Sequence, residues 1–119
     1  MKAPVPILRS FNAELSKEFY LDFLGFELVF EHRFDPDAPL YMAVKSGDCE
    51  IHLSEHFGDA SPGGAVRIEV ADAAAMSVAL KAKSYKYAKP EWQRQEWGWD
   101  EMSIKDPSGN RLIFCAKST

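Results

Sequence analysis

Residues that commonly build reactive centres are scarce in this chain. Two cysteines and three histidines are spread over 119 residues. Two cysteines make no disulfide framework. Cys49 and Cys115, each within an apolar-rich strand pattern, are therefore expected as free thiols in a reducing cytoplasm. No glycine-rich phosphate loop is present, and Gly63-Gly64 reads as a linker feature. Ser10, Ser54 and Ser103 lack the sharp strand-to-helix context of a nucleophile, so no catalytic residue is assigned. There is no basic excess: 14 Lys and Arg against 18 Asp and Glu leave a net charge of −4. That balance argues against a nucleic-acid partner, since nothing neutralises phosphates. A mild acidic surplus is compatible with a cationic ligand. No apolar run approaches the length of a membrane span. The proline-broken first ten residues make no secretion signal. Neither a membrane partner nor export is expected.

What the chain does have is apolar mass. It is 46% hydrophobic and 13% aromatic, enough for the core of one domain. Pro4 to Arg9 reads as a short edge strand. Asn12 caps a helix whose Leu15, Phe19 and Phe23 share one face, and Gly25 ends it in the left-handed position. Phe26 to Phe34 reads as a strand. Leu40 to Lys45 and Cys49 to Glu55 read as two more strands around a tight turn at Ser46-Gly47-Asp48.

The order then recurs. Ala65 to Val70 is a strand, and Asp72 caps a helix carrying Ala75, Met76, Ala79 and Leu80. Tyr85 to Ala88 is a short strand, followed by a loop from Lys89 to Gly98. The final hairpin, Trp99 to Lys105 and Asn110 to Ala116, closes on Asp106-Pro107-Ser108-Gly109-Asn110, which is turn chemistry. The two candidate caps lie 60 positions apart, as do Val5 and Ala65. The pattern is an α+β fold of two βαβββ modules, about 1–56 and 65–119, joined by a linker at 57–64. One such module cannot cover both faces of its own sheet, so two must share a core.

Strand alternation sorts the candidate site residues. Ile51 and Leu53 face one way, Glu50, His52 and Ser54 the other. Val66, Ile68 and Val70 oppose Arg67 and Glu69. The apolar faces should meet the helices, leaving Glu50, His52, Arg67 and Glu69 on polar faces that line a ligand site or meet water. An Arg67–Glu69 or Arg67–Glu50 ion pair there would contribute little, as exposed pairs do. Trp92, Trp97 and Trp99, in and beside a loop rich in Glu and Gln, offer stacking platforms for a flat or cationic ligand, or plugs for a core edge or interface.

The segments Glu18-Phe-Tyr-Leu-Asp-Phe-Leu-Gly-Phe26, Ile51-His-Leu-Ser-Glu-His56, Glu96-Trp-Gly-Trp99 and Asp106-Pro-Ser-Gly-Asn-Arg-Leu-Ile-Phe114 together resemble the glyoxalase / bleomycin-resistance / extradiol-dioxygenase (vicinal oxygen chelate) superfamily. The Trp97-Gly98 dipeptide and short length are most similar to its bleomycin-resistance proteins. The resemblance covers essentially the whole chain and implies paired modules whose mixed sheets curl into a cup, commonly in a homodimer. It also implies metal-ligand positions that fall here on Val5, Ala65, His52 and Ile113. Of these only His52 is a donor, and a catalytic ion needs about three or four. The expectation is therefore a metal-independent homodimeric binding protein with no cofactor. It would hold a bulky, partly cationic antibiotic of the bleomycin type, with Trp92, Trp97 and Trp99 stacking, Glu50, Glu69 and Arg67 fixing polar groups, and His52 as a hydrogen-bond partner. The alternatives are a glyoxalase-type lyase or dioxygenase-like enzyme with a non-standard metal site around His52, Glu50, Glu69 and Glu101, or a binder of some other metabolite.

Overall fold

Both helix starts are set by a side chain. Asn12 Oδ1 accepts the Leu15 amide proton at 3.0 Å, and Asp72 Oδ1 accepts that of Ala75 at 2.9 Å. Each relieves an orphan donor of a first turn. The computed structural model describes all of residues 1–119. Its elements run β1 (Ile7–Arg9), α1 (Ala13–Lys17) continuing into a π-helical segment (Glu18–Phe23), β2 (Glu27–His32), β3 (Tyr41–Ser46) and β4 (Cys49–Ser54). They continue with β5 (Ala65–Glu69), α2 (Ala73–Lys81), β6 (Trp92–Arg94), β7 (Trp99–Lys105) and β8 (Arg111–Lys117). Two four-stranded sheets result, in the orders β1-β4-β3-β2 and β5-β8-β7-β6. In each, the first strand lies parallel to the last and the other pairings are antiparallel. The repeated βαβββ order expected from the sequence is thus present twice, as an α+β fold of mixed sheets.

The chain divides into two units, Met1–Gly64 with Pro107–Asn110, and Ala65–Asp106 with Arg111–Thr119. In the first unit the buried set is rich in large side chains: Phe19, Tyr20, Phe23, Phe26, Met42, Ile51 and Leu53. Fully burying each such side chain contributes roughly 1.5–3 kcal/mol. The wide helical register places Phe19, Tyr20 and Phe23 inward together, with Phe19 and Tyr20 edge-to-face at 5.0 Å. Leu15 does not join them and is 36% exposed. Ser16 takes the inward position instead, because its hydroxyl shares a buried 2.8 Å hydrogen bond with Ser10. Gly25 does end the helix, at φ +81°.

The second unit buries smaller groups beneath its helix. Ala73, Ser77 and Leu80 point inward, and the Ser77 hydroxyl donates to the Pro90 carbonyl. The expected Ala75 and Ala79 are exposed; alanine's small side chain carries little directional signal. Tyr85 to Ala88 is a turn rather than a strand, entered through Ser84 at φ +52°. The expected loop 89–98 contains β6, an edge strand whose Arg94 is tied to Asp100 across the ladder at 2.9 Å. Both cysteines are free thiols. No helix is long and apolar enough to cross a membrane.

Candidate functional site

The first sheet divides its side chains by register. Met42, Val44, Ile51 and Leu53 form a buried face. The opposite face carries Tyr41, Ala43 and Lys45 on β3 against Ser54, His52 and Glu50 on β4. One irregularity decides what else joins that polar face. Between Leu28 and Phe30 the β2–β3 register shifts by a residue, so Leu28 opposes Val44 while Phe30 opposes Ala43. A one-residue slip moves a side chain to the other side of a sheet. Here it puts Phe30 beside Tyr41, stacked at 6.2 Å, and edge-on to His52 at 5.7 Å. His32, opposite Tyr41, follows onto the same side. Glu31 goes to the other side, where it pairs with Lys17 of α1 at 2.6 Å.

The result is a groove of about 430 Å3 lined by Phe30, His32, Phe34, Tyr41, His56 and Asp59. His32 and His56 lie edge-on to the exposed Phe34 ring at 4.8 and 6.1 Å. Behind this wall runs a hydrogen-bonded chain: Tyr41 Oη to His52 Nδ1 at 2.6 Å, and His52 Nε2 to Glu50 Oε2 at 2.7 Å. Burial, with the charges of Asp59 and Glu50, pushes the Tyr41 hydroxyl above its ordinary pKa, so it stays protonated. Asp59 is held by the Ser54 hydroxyl at 2.6 Å. A second hollow of about 480 Å3 lies by the 57–62 loop. Its one guanidinium, Arg9, is committed to the Glu55 carbonyl and the Phe11 ring.

In the second unit Arg67, Glu69, Trp99 and Glu101 share one sheet face by register. Arg67 does not pair with Glu69 of its own strand. It reaches diagonally across β8 to Glu101, at 2.8 Å. The Trp97 indole N–H donates to the same Glu101 oxygen at 3.3 Å. The hydrogen bond from Arg67, helped by that from Trp97, holds the Glu101 carboxyl below its usual pKa against the opposing effect of burial. The Lys117 ammonium lies 6.0 Å from the Trp99 ring. Trp92 opposes Met102, on the other face of the sheet, with Arg94 at 5.9 Å from its ring.

Of the sequence-derived candidates, Glu50 and His52 are therefore in direct contact, and Arg67 and Trp97 meet through Glu101. Glu69 and Trp99 share that face, and Trp92 does not. Phe30, Phe34, Tyr41 and Asp59 escaped notice in the sequence. Phe30 and Phe34 belong to the period-2 run Phe26, Leu28, Phe30, His32, Phe34, which alternation alone assigns to the apolar face.

The donor set does not fit a resident metal ion. Both His52 nitrogens are engaged, its register neighbours Ile7 and Ala43 have no donor side chain, and no three His, Cys, Asp or Glu side chains are gathered at one point. A divalent centre needs such convergence.

Solved structures with this fold include the bleomycin resistance determinant encoded on the transposon Tn5, with 23% identity, full coverage of both chains and a TM-score of 0.76. The bleomycin-binding protein of Streptomyces verticillus, complexed with copper(II)-bleomycin, has 25% identity over 100% of this chain and 97% of that one, at a TM-score of 0.71. A lactoylglutathione lyase from Agrobacterium tumefaciens has 18% identity over 98% and 94%, also at 0.71. No curated protein matches the chain. A family model described as "Glyoxalase superfamily protein" matches residues 1–119. By that match over its whole length, the chain belongs to the glyoxalase superfamily.

Proposed function

We propose that this chain is a metal-independent binding protein that holds a bulky, partly cationic aromatic small molecule of the bleomycin type, as a homodimer, and leaves it chemically unchanged. The observation that carries this reading is the groove beside His52. An aromatic wall stands where a metal centre would need donors, and both imidazole nitrogens are committed to Tyr41 and Glu50. Aromatic faces and carboxylates together favour flat, positively charged guests, and burial of a large planar ligand supplies most of the affinity. Phe30, Tyr41 and Phe34 provide stacking surface in the first unit. Trp97 and Trp99 provide it in the second, where Glu69 and the Arg67–Glu101 pair offer polar groups. Trp92 keeps no stacking role in this reading, since it lies on the other sheet face from Trp99.

The two bleomycin-related structures agree with this reading in fold, and the names they carry supply its ligand class. Titration with bleomycin, with and without copper(II), tests it by tryptophan fluorescence, because Trp97 is 64% exposed. Saturable quenching is expected, with a native mass spectrum showing two chains and bound ligand. An unchanged spectrum at high micromolar bleomycin overturns the ligand assignment. A monomeric mass at the same concentration overturns the dimer.

A further inference from the structure

The chain Glu50–His52–Tyr41 has a direction, and that direction determines what the groove can recognise. A carboxylate only accepts hydrogen bonds. The 2.7 Å contact between Glu50 Oε2 and His52 Nε2 therefore places a proton on Nε2. In the neutral imidazole the other nitrogen then carries a lone pair. Tyr41 Oη, 2.6 Å from Nδ1, must be the donor in that contact. Its one proton is turned toward His52, and only lone pairs remain for anything lying in the groove that Tyr41 lines. The charged groups around this chain reinforce the arrangement. Lys45 stands opposite Glu50 in register, and Asp59, whose carboxylate also raises the Tyr41 pKa, closes the groove beside Tyr41.

We propose that Glu50 and His52 are positioning residues that make Tyr41 an obligate acceptor, so that the groove selects aromatic ligands bearing a hydrogen-bond donor on the ring and discriminates against those bearing only an acceptor. The inference rests on the binding-protein reading given above. It adds a polarity to that reading which neither charge nor shape supplies. The aromatic wall of Phe30 and Phe34 accepts any flat ring, and Tyr41 decides which substituent may point at it. A neutral donor is favoured as well as a cation, because the discrimination comes from a lone pair rather than from net charge.

The test uses the whole chain and the neutral probe pair phenol and anisole, which differ in whether the ring oxygen carries a proton. Groove resonances are followed by NMR titration, and the imidazole nitrogens by long-range 1H–15N correlation at mildly alkaline pH. The wild type should show the proton of His52 on Nε2 and the lone pair on Nδ1, and should prefer phenol by about tenfold, the worth of one good hydrogen bond. Tyr41→Phe removes the acceptor, and the preference should fall to near unity while ring binding persists. Glu50→Lys offers only an N–H donor to Nε2. The imidazole proton should then move to Nδ1, the Tyr41 hydroxyl should turn outward, and anisole should gain relative to phenol. Glu50→Ala removes the same charge without supplying a donor and should not reverse the tautomer.

A wild-type His52 protonated on Nδ1 overturns the proposal, as does a phenol preference that survives in Tyr41→Phe. If bleomycin and both probes leave the groove resonances unmoved, the ligand-site reading itself fails. In that case the imidazole nitrogen spectrum alone still reports whether the chain has the stated direction.

Discussion

The two modules repeat one strand order and differ in what they place on it. The first carries a π-helical segment loaded with Phe19, Tyr20 and Phe23, and its polar sheet face bears an aromatic groove backed by Tyr41, His52 and Glu50. The second carries an α-helix that buries Ala73, Ser77 and Leu80 close upon β6, β7 and β8, and its polar face is tied by the Arg67–Glu101 ion pair. Large side chains hold a helix away from its neighbours, and small ones let it settle near them. The difference teaches that a duplicated topology constrains backbone pairing and leaves each copy free to specialise. One copy here carries an aromatic groove, while the other carries a network of paired charges.

The largest effect should come from emptying the first helix. Phe19→Ala removes a side chain that is 1% exposed and should cost about 3–5 kcal/mol, while Leu80→Ala, a smaller side chain among small neighbours, should cost less, near the low end of about 2–5 kcal/mol. Urea unfolding measures both. Equal losses would break the contrast between an aromatic and a small-residue helix core.

The hairpin turns come next. Asn110 is fully buried, and its side chain donates to the Arg9 carbonyl at 2.7 Å while accepting from the Gly64 amide at 3.3 Å. Asn110→Ala strands those partners and should cost about 1–3 kcal/mol in the same assay. Asp48→Ala, in the exposed turn of the first hairpin, should leave the midpoint unchanged. A third contrast lies where the two helices end. Gly25 holds φ +81° without penalty, whereas Ser84 adopts φ +52° with a side chain attached. Gly25→Ala should lower stability by about 1 kcal/mol. Ser84→Gly should raise it by a few tenths up to about 1 kcal/mol, since its looser unfolded chain offsets part of the relief. Thermal melts resolve either sign.

The smallest effect is electrostatic and belongs to the second module. The Glu101 carboxyl is held below its unfolded value mainly by Arg67. Its contribution is complete above the unfolded carboxylate pKa and is lost as pH falls through the lower, folded one. Arg67→Ala should therefore cause a small loss of stability near neutrality, where the contribution is complete, and move the acid-unfolding midpoint slightly to higher pH, since exposed pairs contribute little. An acid midpoint that does not move would show that Trp97 alone holds the carboxylate.

Much of this framework is legible in the chain itself. Asn12 and Asp72 announce the helices, Gly47 and Gly109 the turns, and the alternation at Ile51-His52-Leu53 and Val66-Arg67-Ile68 assigns the faces, because each is a local rule with a local cause. The site is less legible. The register shift at Val29 leaves no mark in composition, yet it carries Phe30 from the buried side to the groove. A phenylalanine in a strand reads as core by default, and so Phe30 and Phe34 pass as packing residues. The Arg67 partner is not legible, because Glu101 lies two strands away and sequence proximity favours Glu69. β6 hides inside a Glu- and Gln-rich stretch because a three-residue edge strand needs only a partner, and no apolar face of its own.

The hydrogen bond from Asn110 to Arg9 joins positions 101 residues apart. It belongs wholly to the first unit, which therefore borrows four residues from near the far end of the polypeptide. A nascent chain halfway out of the ribosome has every strand of its leading sheet and still lacks the clasp for it. Closing so wide a loop carries an entropic cost and slows folding, so the leading half should mature only after synthesis is nearly finished. Expressed alone, that half would resemble a hand without its thumb.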